Sequence, residues 1–386
     1  MAMARLWLRP GRGTSQIAAH LAFRADAAQR GIELSRRKTM SAPGRRDFLK
    51  QSAALLAWGG AQPMSGRPNP EETEFSAHQA RRRKELWGLL GDLPWGHKPG
   101  PAKLLATEKH DGYTLERLVL DLNGVEPVPA LLLVPDKRQP RAPGLLYIQW
   151  HGGMYDLGKE QLLTGVDAQP AYAPVCAEKG LVTLAIDSWC FGERKHDEVG
   201  RRGEEDTFKD MLWKGRVLWG MMMFDEFRAI DYLASLVEVD ANRLGVLGMS
   251  MGSTKAWWLA ALDPRLRLCM DVCCLTDFEE LIKVHNLSGH GVYYFVPSLL
   301  KHFQTAEINE LIVPRPHLSV NGRLDELTPP AGVDRIRDYL LPLYERYGKP
   351  EDCHIEMFEC PHQELPAMRQ LIREWMDTYL VKQQGS

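Results

Sequence analysis

The chain has 386 residues, 44% hydrophobic and 25% charged, an ordinary globular balance with enough length for one large core. Forty-eight basic against 50 acidic residues leave a formal net charge of −2, which favours neither nucleic acid nor an anionic membrane as partner and leaves a small molecule as the expected one. No apolar run approaches the roughly 18 residues of a membrane span.

The N-terminus departs from this balance, because Arg5, Arg9, Arg12, Arg24, Arg30, Arg36 and Arg37 gather there with few acids. Arg45-Arg46-Asp47-Phe48-Leu49-Lys50 then precedes the mildly apolar run from Ala53 to Trp58, a pattern similar to a twin-arginine export signal. Gly44 stands where such signals usually carry Ser or Thr. Residues 1–66 are therefore expected to be a leader handled by the twin-arginine export machinery, with the mature protein periplasmic or secreted. Met40 as the start would give the signal a normal length and make residues 1–39 an over-extended frame. Residues 67–386 are expected to form a single catalytic domain. The seven cysteines are odd in number and lie mostly in apolar surroundings, so a disulfide framework is not expected; no Cys/His spacing matches a zinc site.

After a polar linker, residues 77–90 predict a helix with Leu86, Trp87, Leu89 and Leu90 on its apolar side. Two strands follow, 113–120 and 128–134, joined through Asn123-Gly124, whose tolerance of positive φ makes a hairpin. From there strands and helices alternate: strand 144–150, helix 171–179, strand 181–187, helix 218–236, then the apolar run of Leu244, Val246 and Leu247. Strands 266–273, 316–320 and 354–358 and helices 332–347 and 364–380 complete the series. The pattern predicts an α/β fold, a doubly wound, mostly parallel sheet with an antiparallel N-terminal hairpin. Two stretches break the alternation: 194–214, charged and irregular, and 286–312, rich in aromatics. Both are expected to wall or cover a ligand crevice at the carboxyl ends of the strands.

Between the Leu244 strand and the helical run 253–262 stands Gly248-Met249-Ser250-Met251-Gly252. In this G-x-S-x-G pattern a serine sits on a strained strand-to-helix turn and small flanking residues let the two elements pass closely, which exposes the hydroxyl. A serine needs a base held by an acid before it can attack near neutral pH. Of twelve histidines, His362 is the expected base, in the turn 359–363 after a strand; His354, inside that strand, is the lesser choice. Asp325, in the turn after strand 316–320, is the expected acid, with Glu326 and Asp277 as alternatives. The order Ser250, Asp325, His362 fits a nucleophile, acid, histidine arrangement. An oxyanion hole is expected from the Met251 N–H and from Gly152 or Gly153 in His151-Gly152-Gly153-Met154. His151, Trp189, His290, Tyr293 and Tyr294 are the expected substrate-facing residues. Tyr293 or Tyr294 could stack on a sugar ring or serve as packed lid, and His151 reads as structural rather than as a proton carrier.

With those residues in place, the chain from about Tyr113 onward resembles α/β-hydrolases, and within them bacterial acetyl xylan esterase-like and dienelactone hydrolase-like proteins. The resemblance rests on His151-Gly-Gly153, Ala185-Ile-Asp187 leading to Phe191-Gly-Glu-Arg194, the elbow with Ala261-Leu-Asp-Pro-Arg265, Val313-Pro-Arg-Pro316, and the aromatic stretch 290–297. It implies hydrolysis through an acyl-enzyme, without metal or organic cofactor, on a small-molecule or oligosaccharide ester, with acetyl or other short acyl groups on carbohydrate as the leading substrate. Dienelactone hydrolases use cysteine where this chain has Ser250, which argues against that reaction. A small-peptide or amide hydrolase of the same fold is the alternative, and from a different class a catalytically silent binding protein.

Overall fold

Nine strands build one sheet in the order β1-β2-β3-β5-β4-β6-β7-β8-β9, seen in a computed structural model that describes residues 70–382 except 167 and 197–199. The arginine-rich N-terminal stretch expected to be a leader, with its Arg45-Arg46 pair, lies outside the described residues. The strands are β1 (Lys103–His110), β2 (Tyr113–Leu120), β3 (Val128–Pro135), β4 (Ala142–Ile148), β5 (Val182–Ile186), β6 (Val239–Met249), β7 (Leu266–Val272), β8 (His317–Gly322) and β9 (Cys353–Phe358). β2 and β3 pair antiparallel from Tyr113↔Pro135 to Leu120↔Val128, and β4 to β9 run parallel with one another. The sheet is thus the doubly wound, mostly parallel one expected. It begins one strand earlier, since Lys103–His110 pairs antiparallel with β2 at the edge. That strand is largely exposed on both faces, so it carries no hydrophobic alternation for a sequence pattern to detect.

Helices cover both faces. Helices α1 (Pro70–Gly88), α4 (Leu218–Ser235), α5 (Met251–Leu262) and α6 (Pro330–Arg346) contribute to one core, while α2 (Ala173–Lys179) and α7 (Pro366–Met376) contribute to the other. Strand β4 shows how the sequence feeds both: Leu145 and Tyr147 point into the second core, Leu146 and Ile148 into the first, because side chains alternate along a strand. Each of these side chains is at most 2% exposed, so a large-to-small change such as Leu146→Ala removes about 2–5 kcal/mol. Gly245 lies where a Cβ would come within 2.7 Å of Leu380, so a glycine in the middle of β6 lets the C-terminal segment pack against the sheet.

The charged stretch 194–214 is more regular than its composition suggests. It contains α3 (Arg201–Trp213), whose many charges face solvent while Gly203, Glu204 and Met211 are buried. The aromatic stretch 286–312 consists of three short 3-10 turns and a short helix, Thr305–Glu310. Among the described residues no helix is long and apolar enough to cross a membrane.

Candidate functional site

Ser250 is placed by the junction of β6 and α5. Its φ of 57° and ψ of −121° put it in a strained region for a side-chain-bearing residue, worth on the order of 1–3 kcal/mol, and its N–H is tied to Val272 O at 2.9 Å. The glycines on either side explain how the turn is tolerated. A Cβ on Gly248 would lie 2.3 Å from Gly252 O, and one on Gly252 would lie 2.4 Å from Ile148 O, so only glycine lets α5 start this close to β4 and β6. Ser250 is 8% exposed.

The expected acid and base meet. His362 Nδ1 lies 2.6 Å from Asp325 Oδ2, and the other Asp325 oxygen accepts the Leu327 N–H at 2.9 Å. The carboxylate is thereby held on two sides in a buried turn. His362 Nε2 is buried and has no hydrogen-bond partner, the Ser250 hydroxyl included, so one ring nitrogen is engaged and one open. Its turn is anchored by Leu324 N–H to Cys360 O at 3.0 Å and by Glu364, whose carboxylate takes the Tyr172 hydroxyl at 2.6 Å and Arg369 at 2.8 Å. The alternatives do other things. Asp277 caps the helix Phe278–Lys283 and pairs with Arg335, and His354 pairs at the surface with Glu356 at 2.7 Å.

The glycine loop after β4 is pinned at its start by Gln161, whose amide bonds both the N–H and the carbonyl of Trp150. Gly152 has φ +46°, and a Cβ there would lie 2.0 Å from the Trp150 ring. Gly153 N–H donates to His151 Nδ1 at 3.0 Å, so that donor is already engaged, whereas the Gly152 N–H makes no backbone hydrogen bond. The Met251 N–H opens α5, where first-turn N–H groups have no intrahelical acceptor.

The expected substrate-facing residues divide. Trp189 is 4% exposed and lies under the Arg194 guanidinium, 4.5 Å from the ring centre, so it packs into the core rather than facing a crevice. Tyr293 and Tyr294 are likewise buried. Tyr293 stacks between His151 at 5.3 Å and Trp219 at 5.9 Å, and Tyr294 lies 4.3 Å from His290, which makes both packed wall. The His290 ring contacts Leu327 O through Nε2 at 3.1 Å, and burial lowers its pKa to about 4.

Sequence reasoning missed an ionic layer behind the strand ends. Lys159 bonds Asp187 at 2.9 Å and Glu193 at 2.6 Å; Arg194 forms an ion pair with Asp225 at 2.9 Å and donates to Glu126 at 2.6 Å and to Asp187 O at 2.8 Å; Lys255 pairs with Glu226 and donates to Ser188 at 2.6 Å. Burial opposes the charge on Lys159 and Arg194, yet the neighbouring carboxylates outweigh it and raise both pKa values. Burial raises Asp187 and Glu226, with Lys159 and Lys255 opposing. The residues stand in plain view in Asp187 to Arg194 and at Lys255 of α5, but side chains so far apart in sequence gave no hint of their pairing. The seven cysteines are buried and free. A hollow of about 310 Å³ lined by Lys137, Arg138, Lys179 and their neighbours lies at the opposite ends of the strands, away from these groups.

A mostly parallel sheet with a strained serine at the β6–α5 turn and an Asp–His pair after β8 and β9 defines the α/β-hydrolase class of folds. The chain belongs to the Abhydrolase family, whose model matches residues 63–371. It is 41% identical over 304 residues to YtaP of Bacillus subtilis (strain 168), which carries the provisional name of a hydrolase; the match covers 77% of this chain and 100% of that protein. Among solved structures it is similar to a Bacteroides fragilis NCTC 9343 protein provisionally described as an acetyl xylan esterase, with TM-score 0.60, 18% identity and 84% of each chain covered. It is also similar to a glucuronoyl esterase from Solibacter usitatus, with TM-score 0.56, 15% identity, and 78% of this chain and 92% of that one covered. At these identities the two structures speak for the fold.

Proposed function

We propose that the protein is a serine hydrolase that cleaves carboxylic esters through an acyl-enzyme, with short acyl esters of carbohydrates, acetyl above all, as substrates. The observation that carries this reading is the 2.6 Å contact of His362 Nδ1 with Asp325, which leaves Nε2 open to take a proton; the strained strand-end turn at Ser250 supplies the hydroxyl it would serve. In this reading Ser250 Oγ attacks the ester carbonyl while His362 Nε2 takes its proton, and Asp325 holds the ring and balances its positive charge. The carbonyl oxygen becomes an oxyanion that accepts from the Met251 and Gly152 N–H groups. Collapse of the adduct breaks the ester C–O bond, and His362 returns the proton to the leaving alcohol. Water then repeats the sequence on the acyl-enzyme, releasing the acid and restoring Ser250.

The carbohydrate assignment draws on the esterases that share this fold and on a site walled by packed aromatic rings. Residues 67–386 as one catalytic domain, and export through the Arg45-Arg46 signal to the periplasm or beyond, complete the proposal.

Hydrolysis of aryl esters from acetyl to octanoyl, with Ser250→Ala as control, tests it. Cleavage favouring acetyl esters and reduced on the order of 10⁶-fold by Ser250→Ala is expected. Wild-type turnover in that variant removes Ser250 as nucleophile, and absent ester cleavage beside cleavage of aryl amides shifts the reading to an amide hydrolase.

A further inference from the structure

The two insertions and the glycine loop converge on a side chain that none of the assigned roles uses, Glu204 of α3. Its carboxylate is 2% exposed. One oxygen, Oε2, lies 2.8 Å from His151 Nε2 and accepts the Tyr155 hydroxyl at 2.9 Å. The other lies against Gly291 of the aromatic insertion, where a Cβ would come within 2.6 Å of it.

His151 is held through both ring nitrogens and through contacts of its ring. Its Nδ1 accepts the Gly153 N–H, so that nitrogen carries no proton, Nε2 does, and the Nε2–H donates to Glu204. One face stacks on Tyr293 at 25°, and Phe191 meets it edge-on at 5.0 Å. The bond from Gly153 to the ring and the bond from Met154 N–H to His151 O at 2.8 Å close the loop into one tight turn, which keeps the Gly152 N–H out of internal hydrogen bonds.

We propose that Glu204 is a positioning residue for the oxyanion hole: it fixes the tautomer and orientation of His151, and His151 shapes the turn that presents the Gly152 N–H. Because Glu204 rides on α3, seating of that wall and assembly of the donor are one event. The inference rests on the serine-esterase reading for its catalytic consequence, while the tautomer stands independently of it. A carboxylate here outperforms an apolar residue because the imidazole N–H and the phenol O–H are both half-buried donors whose acceptor in the structure is this one oxygen.

The test compares Glu204→Ala with Glu204→Gln in the full chain. Alanine should lower kcat by about 10²–10³, the scale of a lost oxyanion donor, with KM within about threefold, and should weaken a boronic acid analogue of the tetrahedral adduct by a similar factor. Glutamine, whose amide oxygen accepts both donors, should recover activity to within about tenfold of wild type. Nitrogen NMR of the His151 ring, read in the Ser250→Ala background, should show a protonated Nε2 and an unprotonated Nδ1 that Glu204→Ala disturbs and Glu204→Gln retains. This readout is independent of ester cleavage, so a failed esterase assignment and a failed positioning role give different results. An unchanged His151 tautomer with wild-type kcat and analogue affinity in Glu204→Ala overturns the proposal. Equal loss of stability and activity in both variants, with the tautomer kept, overturns it as well.

Discussion

The strand ends and the ionic layer behind them treat polar groups in opposite ways. At the strand ends Ser250 sits in a strained turn and His362 keeps a buried Nε2 without a partner, features that cost stability. In the layer behind, each of the buried cations Lys159, Arg194 and Lys255 faces at least one carboxylate, and the loops after β5 are tied through them to α4 and α5. The lesson is a division of labour: the strand-end turn carries backbone strain and an imidazole nitrogen left open, while the charges behind it are paired across elements and hold the surrounding loops in place. Substitutions in the first region should therefore damage turnover more than stability, and substitutions in the second should do the reverse.

The largest expected departure is at the front. Asp325→Asn should lower kcat by about 10⁴, because the amide favours the wrong imidazole tautomer, while the thermal midpoint moves little; circular dichroism beside ester kinetics checks both. A midpoint collapse equal to that of a core deletion would erase the distinction between the regions. Next comes Lys255→Met, which leaves Glu226 buried without its cation and should cost about 3–5 kcal/mol in denaturant unfolding. Pairing it with Glu226→Leu should recover most of that loss, since replacing a buried ion pair by apolar side chains is often near neutral. The smallest effect concerns His290. Its folded pKa is lowered from 6.5 to about 4, so between those values the unfolded chain binds the extra proton and stability falls as pH drops, with no further contribution below about 4. Glutamine at 290 should flatten that part of the stability-versus-pH curve relative to wild type.

Much of the architecture was legible because its signals are local. The Asn123-Gly124 turn, the apolar runs of the parallel strands and the helix from Leu218 all lie within a few residues of the observed elements. The exceptions are instructive. The edge strand Lys103–His110 escaped because both its faces are largely exposed, and α3 escaped because the stripe it buries at helical spacing carries Gly203 and Glu204 beside Met211, so the buried face gives little apolar signal in a stretch this charged.

For the site, the sequence by itself determined which residues could take part. A serine between glycines at a strand-to-helix junction, an aspartate and a histidine in turns after later strands, and a glycine loop after β4 are each written in contiguous residues, because backbone strain and turn geometry are local properties. Tertiary structure alone decided which of these groups touch. It joined His362 to Asp325, engaged the Gly153 N–H with His151, turned Trp189, Tyr293 and Tyr294 into packing, and brought Glu204 from 53 residues away onto His151. The physical reason is that a buried polar atom must find a partner wherever the fold supplies one, and spatial proximity across the sheet leaves no periodicity in the chain.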